Sequence, residues 1–364
     1  KRDDVMWRSV VDDINPIYGE KFTTVAPGSG RMFGSRGAPS SFSYPGNILG
    51  YGGGGGAIAG CTTVAAGLCQ YDRFSRFQAI PKAERVNALV SGKLRINEKV
   101  DAFAEALFSR TETTYQSAFP TYDSTGADSV WGNPQTGERL SFSYLSLPAT
   151  HPLNTLGEPA ALRYRFADGG GEQTVKSTQY RVLTGLKGSW QQYDWETAVG
   201  VMGSKTKMRS RGAFSASGFR QVIGDNTQFD ADYTPLDPNF FNHDYKIGQQ
   251  NSAQTLNTLF PEQGYDGKIT QTFLDGKVSG ELTKWGERSI GAAFGGEIRH
   301  EKFEINPTAN LLSGDIVGYG SATANAKRMT GAAFAEVNVP VTKTFEVTGA
   351  ARVDKYEDFD AHVS

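Results

Sequence analysis

The sequence predicts an all-β fold, an antiparallel section of a transmembrane β-barrel that takes in residues 1–364 as one domain. Three observations carry that expectation. Long runs alternate apolar and polar side chains with a period of two, which gives each strand one apolar and one polar face. The connections between runs alternate strictly between a few residues and very long stretches. Aromatic residues gather beside the short connections. Antiparallel ladders put alternate connections at opposite ends of a sheet, so one end carries tight turns and the other carries loops. Long strands, this turn asymmetry and an aromatic girdle together describe a membrane-crossing barrel.

Composition agrees. Hydrophobic residues make up 38% of the 364 residues, and no run approaches the ~18 consecutive apolar residues of a membrane helix. Alternation dilutes the apolar residues of a barrel, so this composition excludes only the helical class. Glycine (43), Phe (22) and Tyr (15) far outnumber Met (5), a balance that suits strands and turns. The net charge of -2 offers no basic footprint for nucleic acid. Lys1-Arg2-Asp3-Asp4 is charged and no apolar core of a signal peptide follows. The chain is expected either to be processed or to be an internal piece of a longer protein.

In chain order, residues 4–10 read as a short strand remnant and residues 9–70 as a long irregular segment. That segment holds the run Gly52 to Gly56, read as a flexible loop. It lacks the Gly-Lys-Ser/Thr and the strand-to-helix context of a phosphate cradle. Cys61 and Cys69 fit neither redox nor zinc spacing. A local disulfide pinning the loop is the better reading, with two free thiols as the alternative. Val86, Ala88, Val90, Leu94 and Ile96 then alternate with Arg85, Asn87, Ser91, Lys93 and Arg95. After a turn near Asn97 the return strand, 99–115, is less clean, because Phe103 and Leu107 share a side with Asp101 and Glu105. A long loop runs from Gln116 to about Gly171. The next hairpin spans 174–208, with Tyr180, Val182, Leu186 and Trp190 on one face and a turn near Gln192. The loop from Arg209 to about Gly267 contains two candidate helices, 218–223 and 253–260.

The clearest hairpin follows, over 277–307. Leu274, Val278 and Leu282 share a face with Ile290, Ala292, Phe294 and Ile298 across the turn at Trp285-Gly286. Opposite them lie Asp275, Lys277, Ser279, Glu281 and Thr283, and then Glu297, Arg299 and Glu301. A loop over 306–326 leads to the last hairpin, which turns at Pro340 to Lys343 and carries Glu336 and Arg352 on its polar face. The count is about nine strands. Trp190, Tyr193, Trp195, Trp285 and Phe345 sit beside the short turns, as an interfacial girdle would. Lipid is accordingly expected at Leu274, Val278, Leu282, Ile290 and Phe294, and a barrel lumen at Glu281, Glu297, Arg299, Glu301, Glu336 and Arg352. The alternative for the charges is a plain solvated wall.

Aromatics of the long loops, Phe119, Tyr122, Trp131, Tyr144, Phe219, Phe240 and Phe241, are candidates for stacking on a ligand, against ordinary loop packing. Enzyme readings are poor. His151, His243, His300 and His362 show no metal-ligand spacing, no nucleophile elbow is present, and Glu281 with Glu297 is read more simply as two lumen charges than as a glycosidase pair. No metal and no cofactor are expected.

Several stretches resemble the mid-barrel of TonB-dependent outer-membrane receptors. They are the run from Leu282 to Pro307 with its Gly-Gly-Glu-Ile-Arg-His-Glu core, Phe334-Ala335-Glu336-Val337 with Pro340, and Ala351-Arg352-Val353-Asp354-Lys355-Tyr356-Glu357-Asp358-Phe359. Glu84-Arg85, Phe103-Ala104-Glu105, Phe108-Ser109 and the Cys61/Cys69 loop resemble it as well. The resemblance implies a section of a 22-stranded, plugged barrel in a bacterial outer membrane, with short periplasmic turns and long extracellular loops. It implies uptake of a scarce nutrient (a ferric siderophore, cobalamin or a carbohydrate) driven by the TonB-ExbB-ExbD system acting on a plug. The plug and the closing C-terminal strands are not among these residues, and a middle section of a larger barrel is expected. Two other readings stand beside it, a passive porin or adhesin-like barrel and a secreted all-β carbohydrate-binding or hydrolytic protein.

Overall fold

The computed structural model describes residues 1–6, 39–72, 76 and 78–364. Much of the expected irregular segment, and most of the strand expected over 4–10, lies outside the described residues. Its first residues, Val5–Met6, pair antiparallel with Gln78–Ile80.

One nine-stranded antiparallel sheet dominates, and its strands lie in chain order. They are β1 (Lys82–Asn97), β2 (Val100–Gln116), β3 (Glu172–Trp190), β4 (Tyr193–Ser210), β5 (Gln263–Trp285), β6 (Arg288–Pro307), β7 (Ala324–Pro340), β8 (Glu346–Tyr356) and the two-residue β9 (His362–Val363). The long strands run from 11 to 23 residues, against ~5–6 in ordinary sheets. Turns near Asn97, Gln192, Gly286 and Val341 join them at one end, as the sequence predicts. Gln191 and Gly286 adopt φ of 57° and 65° to close two of these turns. The Asn97 side chain caps its own turn by accepting from the Lys99 amide at 2.9 Å.

From β2 to β4 and from β6 to β8 the register runs without a break, so face assignment follows from counting. The β1–β2 ladder shifts at its turn, between Val100 and Asp101, and a second shift corrects the expected hairpin. A bulge between Glu281 and Thr283 shifts the β5–β6 register. Leu282 has no ladder partner, and Thr283 moves to the face of its partner Ile290 instead of staying with Glu281.

Several glycines on the sheet are covered by rings from the next strand. A Cβ at Gly185 would lie 2.5 Å from the Phe103 ring, one at Gly200 2.6 Å from Phe273, and one at Gly295 2.4 Å from Phe334. This explains why Phe103 sits on the polar side of β2. Its ring lies flat over a glycine, where it packs without adding bulk.

The buried core lies elsewhere, in the long connections. Thr121–Asp123, Ala160–Arg165, Asn47–Gly50 and Gly55–Ala57 form a small sheet. Helices α1 (Ala216–Val222) and α2 (Ala253–Leu259) are capped by the Ser215 and Ser252 hydroxyls, close to the expected 218–223 and 253–260. A third short helix, α3, spans Ala309–Leu312. The buried apolar cluster joins Tyr122, Phe142, Tyr164, Phe166, Phe219, Phe240, Phe241 and Tyr245 and takes no member from β1–β8. The glycine run is a tight hairpin turn, not a flexible loop. Gly53 to Gly56 all have positive φ, and a Cβ at Gly55 would meet the Ile48 carbonyl oxygen at 2.2 Å. Cys61 and Cys69 are disulfide-bonded, and Asn47 holds the Cys69 amide through its side-chain oxygen at 2.6 Å.

Candidate functional site

The sheet has two faces of opposite chemistry. All six residues expected on the polar face, Glu281, Glu297, Arg299, Glu301, Glu336 and Arg352, share one face by register. Five of them have a hydrogen-bond or ion-pair partner there. Glu297 accepts from Arg299 at 2.5 Å and from Arg352 at 2.6 Å, and Arg352 also reaches Asp354 at 2.8 Å. Glu301 accepts from Arg328 at 2.7 Å and from the Gln271 amide at 2.6 Å. Glu281 accepts from the Ser289 hydroxyl. Glu336 is exposed.

Sequence reasoning missed one feature of this face. Arg95 lies opposite Asp101, Asp101 opposite Lys187, Lys187 opposite Glu196, and Glu196 opposite Lys277. Five strands thus carry a row of alternating charge, the favourable cross-strand arrangement. Counting outward from each tight turn would have revealed it, because Lys187 and Glu196 are equidistant from the turn at 191–192. Beside this row a depression of about 540 Å³ is lined by Lys93, Glu105, Arg181, Lys187, Glu196 and Asp275.

The opposite face is apolar and open. Val86, Val90, Leu94, Val182, Leu186, Val199, Leu274, Phe294, Ile298, Met329, Val347 and Val353 are all exposed, with Leu94 at 68% and Phe294 at 45%. On this face a shallow groove of about 710 Å³ is lined by Val90, Ala104, Ala106, Val182, Val199 and Val201. Trp190 and Trp285, beside the tight turns, are exposed at its lower rim, with Tyr193 and Trp195 on the same face. Phe345 lies within the last turn and is also exposed. Water-soluble monomers rarely leave a contiguous apolar surface of more than a few hundred Å² open, and here such side chains line one face of eight adjacent strands.

The loop aromatics divide. Tyr122, Phe219, Phe240 and Phe241 are fully buried in the loop core, so they are packing residues and not open stacking faces. Tyr122 stacks on Phe219 and meets Phe241 edge-on, at centroid distances of 5.9 and 4.9 Å. Irregular chain gives burial no periodicity, so nothing in the sequence separated these rings from exposed ones. Phe119, Trp131 and Tyr144 are half-buried. Arg76 lies 4.1 Å over the Phe119 ring, Trp131 Nε1 donates to the Gly314 carbonyl at 2.9 Å, and the Tyr144 hydroxyl meets that of Ser129 at 3.1 Å.

A directed polar chain crosses the same core. Tyr164 donates to the Tyr245 oxygen at 2.9 Å, and Tyr245 donates to Asp168 at 3.0 Å. Asn251 holds the second Asp168 oxygen at 2.8 Å. Burial pushes both phenols well above the usual tyrosine range. His151 is neutral in this core. Its Nδ1 accepts from the Leu153 amide at 3.2 Å and Nε2 donates to the Phe241 carbonyl at 3.3 Å, and burial lowers its pKa. Among the described residues no group of three or more His, Cys, Asp or Glu is placed to hold a metal.

No family model matches the chain, and neither does any curated protein. Solved structures do. The chain is similar to the structure of the RagAB peptide transporter, at 12% identity and a TM-score of 0.42, over 78% of this chain and 29% of that one. It is also similar to the RagAB peptide importer in its closed-closed state (11% identity, TM-score 0.42, 79% and 30% covered) and in its open-open state (12%, 0.43, 79% and 29%). The chain therefore spans less than a third of the length of these matches.

Proposed function

We propose that the chain is the mid-barrel section of an outer-membrane receptor that imports a scarce nutrient in a TonB-dependent manner. The observation that carries the membrane assignment is the apolar face of the sheet. It runs over nine residues on β6 (290–298) and eleven on β3 (180–190), the ~9–11 residues of a tilted membrane strand. At ~3.3 Å per residue and the ~40° tilt of barrel strands, the band is roughly 20–25 Å tall, close to an outer-membrane hydrocarbon layer. The charged face would then line the lumen, and the loop core would stand on the side of the long connections. Energy coupling through TonB-ExbB-ExbD and a plug rests on the resemblance of the strand sequences to that receptor family. The reading assigns no catalysis to this chain.

Two measurements on the full-length protein test it. Fractionated cells should retain it in the outer membrane through an alkaline wash and release it only into detergent. Deleting its gene should abolish uptake of one cargo from a panel of ferric chelates, cobalamin, oligosaccharides and peptides, with the same loss in a strain lacking TonB. Recovery as a soluble monomer sinks the membrane assignment. Uptake that is indifferent to TonB favours a passive barrel.

A further inference from the structure

The rim of the apolar face beside the long loops is charged, and its two halves differ. On β1–β3 the basic groups Lys1, Arg110 and Lys176 each reach a carboxylate, Glu84 or Glu112. On β4–β7 lysines face lysines instead. Lys205 lies directly opposite Lys268, and Lys302 directly opposite Lys327, in adjacent rows of the ladder. Side chains directly opposite stand ~4.5–5.5 Å apart at Cβ, and like charges there are destabilising. Two carboxylates share this part of the face: Glu304 faces Lys268 in register and is ion-paired with Lys302, and Asp266 faces Lys207 and is taken up by Arg209. Lys205, Lys268 and Lys327 have no ion pair among the described residues, and all four lysines are exposed. On the charged face the arginines Arg181, Arg299, Arg328 and Arg352 each reach a carboxylate, and Lys187 and Lys277 stand opposite Glu196 and not opposite each other.

Lys205 lies four residues beyond Val201, and Lys302 four beyond Ile298, along their strands. That is roughly 10 Å above the last apolar side chain of those two tilted strands, and Lys327 is two residues, ~5 Å, above Met329, which puts the group where acyl chains give way to lipid headgroups. Four ammonium groups, with Glu304 paired to one of them and Asp266 already taken by Arg209, at the edge of the apolar band and on its side of the sheet, are matched by an anion that comes with the membrane.

We propose that Lys205, Lys268, Lys302 and Lys327 form a binding site for the phosphate groups of an anionic lipid in the leaflet beside the long loops. The site rests on the membrane assignment above and goes beyond it, because a hydrophobic match alone demands no preferred lipid. A phosphate bridging the two lysine rows relieves both like-charge contacts and ties β4, β5, β6 and β7 together at their loop ends.

The test uses the full-length protein in nonionic detergent micelles doped with a phosphatidylglycerol, with a bis-phosphorylated glucosamine lipid, or with a phosphatidylcholine. Bound lipid is counted by native mass spectrometry. The expected result is retention of the two anionic lipids and not of the zwitterionic one. Binding should fall tenfold or more in K205Q/K268Q/K302Q/K327Q, while K93Q/K187Q/K277Q on the opposite face should bind as the parent does. Inorganic phosphate should fail to displace the lipid at equal concentration, and displacement would reassign the site to a free anion. A solvated lysine belt predicts equal retention of all three lipids, or equal binding by both variants, and either overturns the proposal. Protease protection of the strands in each variant separates lost binding from lost folding. A single-lysine variant, K327Q, with a several-fold loss serves if the quadruple variant fails to fold. Failure of the parent protein to enter micelles would instead sink the membrane assignment itself.

Discussion

Replacing Phe294 by Arg separates a membrane sheet from a soluble one by the sign of the effect. Phe294 sits midway along the apolar face of β6, between Val278 on β5 and Ala335 on β7, and is 45% exposed. If that face meets lipid, Phe294→Arg places a guanidinium near the hydrocarbon midplane, at ~2–4 kcal/mol. If the face meets water, an exposed Phe→Arg change is worth within about 0.5 kcal/mol. Ser279→Arg is the control. Ser279 lies on the charged face opposite Asp194, and an exposed ion pair there contributes ~0–1 kcal/mol. The assay is urea unfolding of the protein folded into phospholipid vesicles, followed by tryptophan fluorescence. Phe294→Arg should lower stability by about 2–4 kcal/mol while Ser279→Arg changes it by less than about 1 kcal/mol. Equal damage at both sites, or none at Phe294, would refute the assignment of faces.

Three further predictions concern packing and the loop core. Gly185→Ala should destabilise the sheet by about 1–3 kcal/mol, because the new methyl meets the Phe103 ring and the Thr197 carbonyl oxygen; Gly331→Ala, with nothing within 4 Å, should be near neutral in the same unfolding assay. Tyr245→Phe should cost about 1–3 kcal/mol of loop-core stability, since Tyr164 loses its acceptor and Asp168 one donor, and near-UV circular dichroism should report it. Burial lowers the His151 pKa below its ordinary 6.5, so below about pH 6.5 the unfolded chain takes up a proton that the folded core refuses. Loop-core stability should therefore hold above pH 6.5 and decline as pH falls toward the lowered folded value, and His151→Gln should flatten that profile in pH-dependent hydrogen exchange.

The strands were legible in the sequence because alternation with period two is a local signal that repeats. Val86 to Ile96, Tyr180 to Trp190 and Ile290 to Ile298 each named their own face, and the tight turns at Asn97, Gln192, Gly286 and Val341 set the register. The six charged residues from Glu281 to Arg352 followed from the same count. Thr283 did not, because a bulge at Leu282 adds one residue to β5 without leaving a mark in the pattern. The loop aromatics were illegible for a different reason. Tyr122 meets Phe219 and Phe241 across about a hundred residues of chain and Phe219 meets Phe240 across a loop, and irregular chain gives no periodicity from which to infer what is inside. The glycine run read as a flexible loop, because nothing local shows that pairing with Asn47–Gly50 would hold it in left-handed backbone as a tight hairpin beside Ile48.

The most direct test of the central claim is a scan of single cysteines along β6, from Gly291 to Arg299, in the full-length protein folded into vesicles. Cys61 and Cys69 are bonded to each other and leave the introduced thiol as the labelled one. A polarity-sensitive fluorophore should report lipid at Ala292, Phe294, Gly296 and Ile298, with quenching by brominated acyl chains, and water at Gly291, Ala293, Glu297 and Arg299; Gly295 is left unsubstituted because the Phe334 ring covers it. Alternation with that phase is what an apolar face turned to the membrane requires. A uniform aqueous signal along the strand, or alternation of the opposite phase, would contradict it.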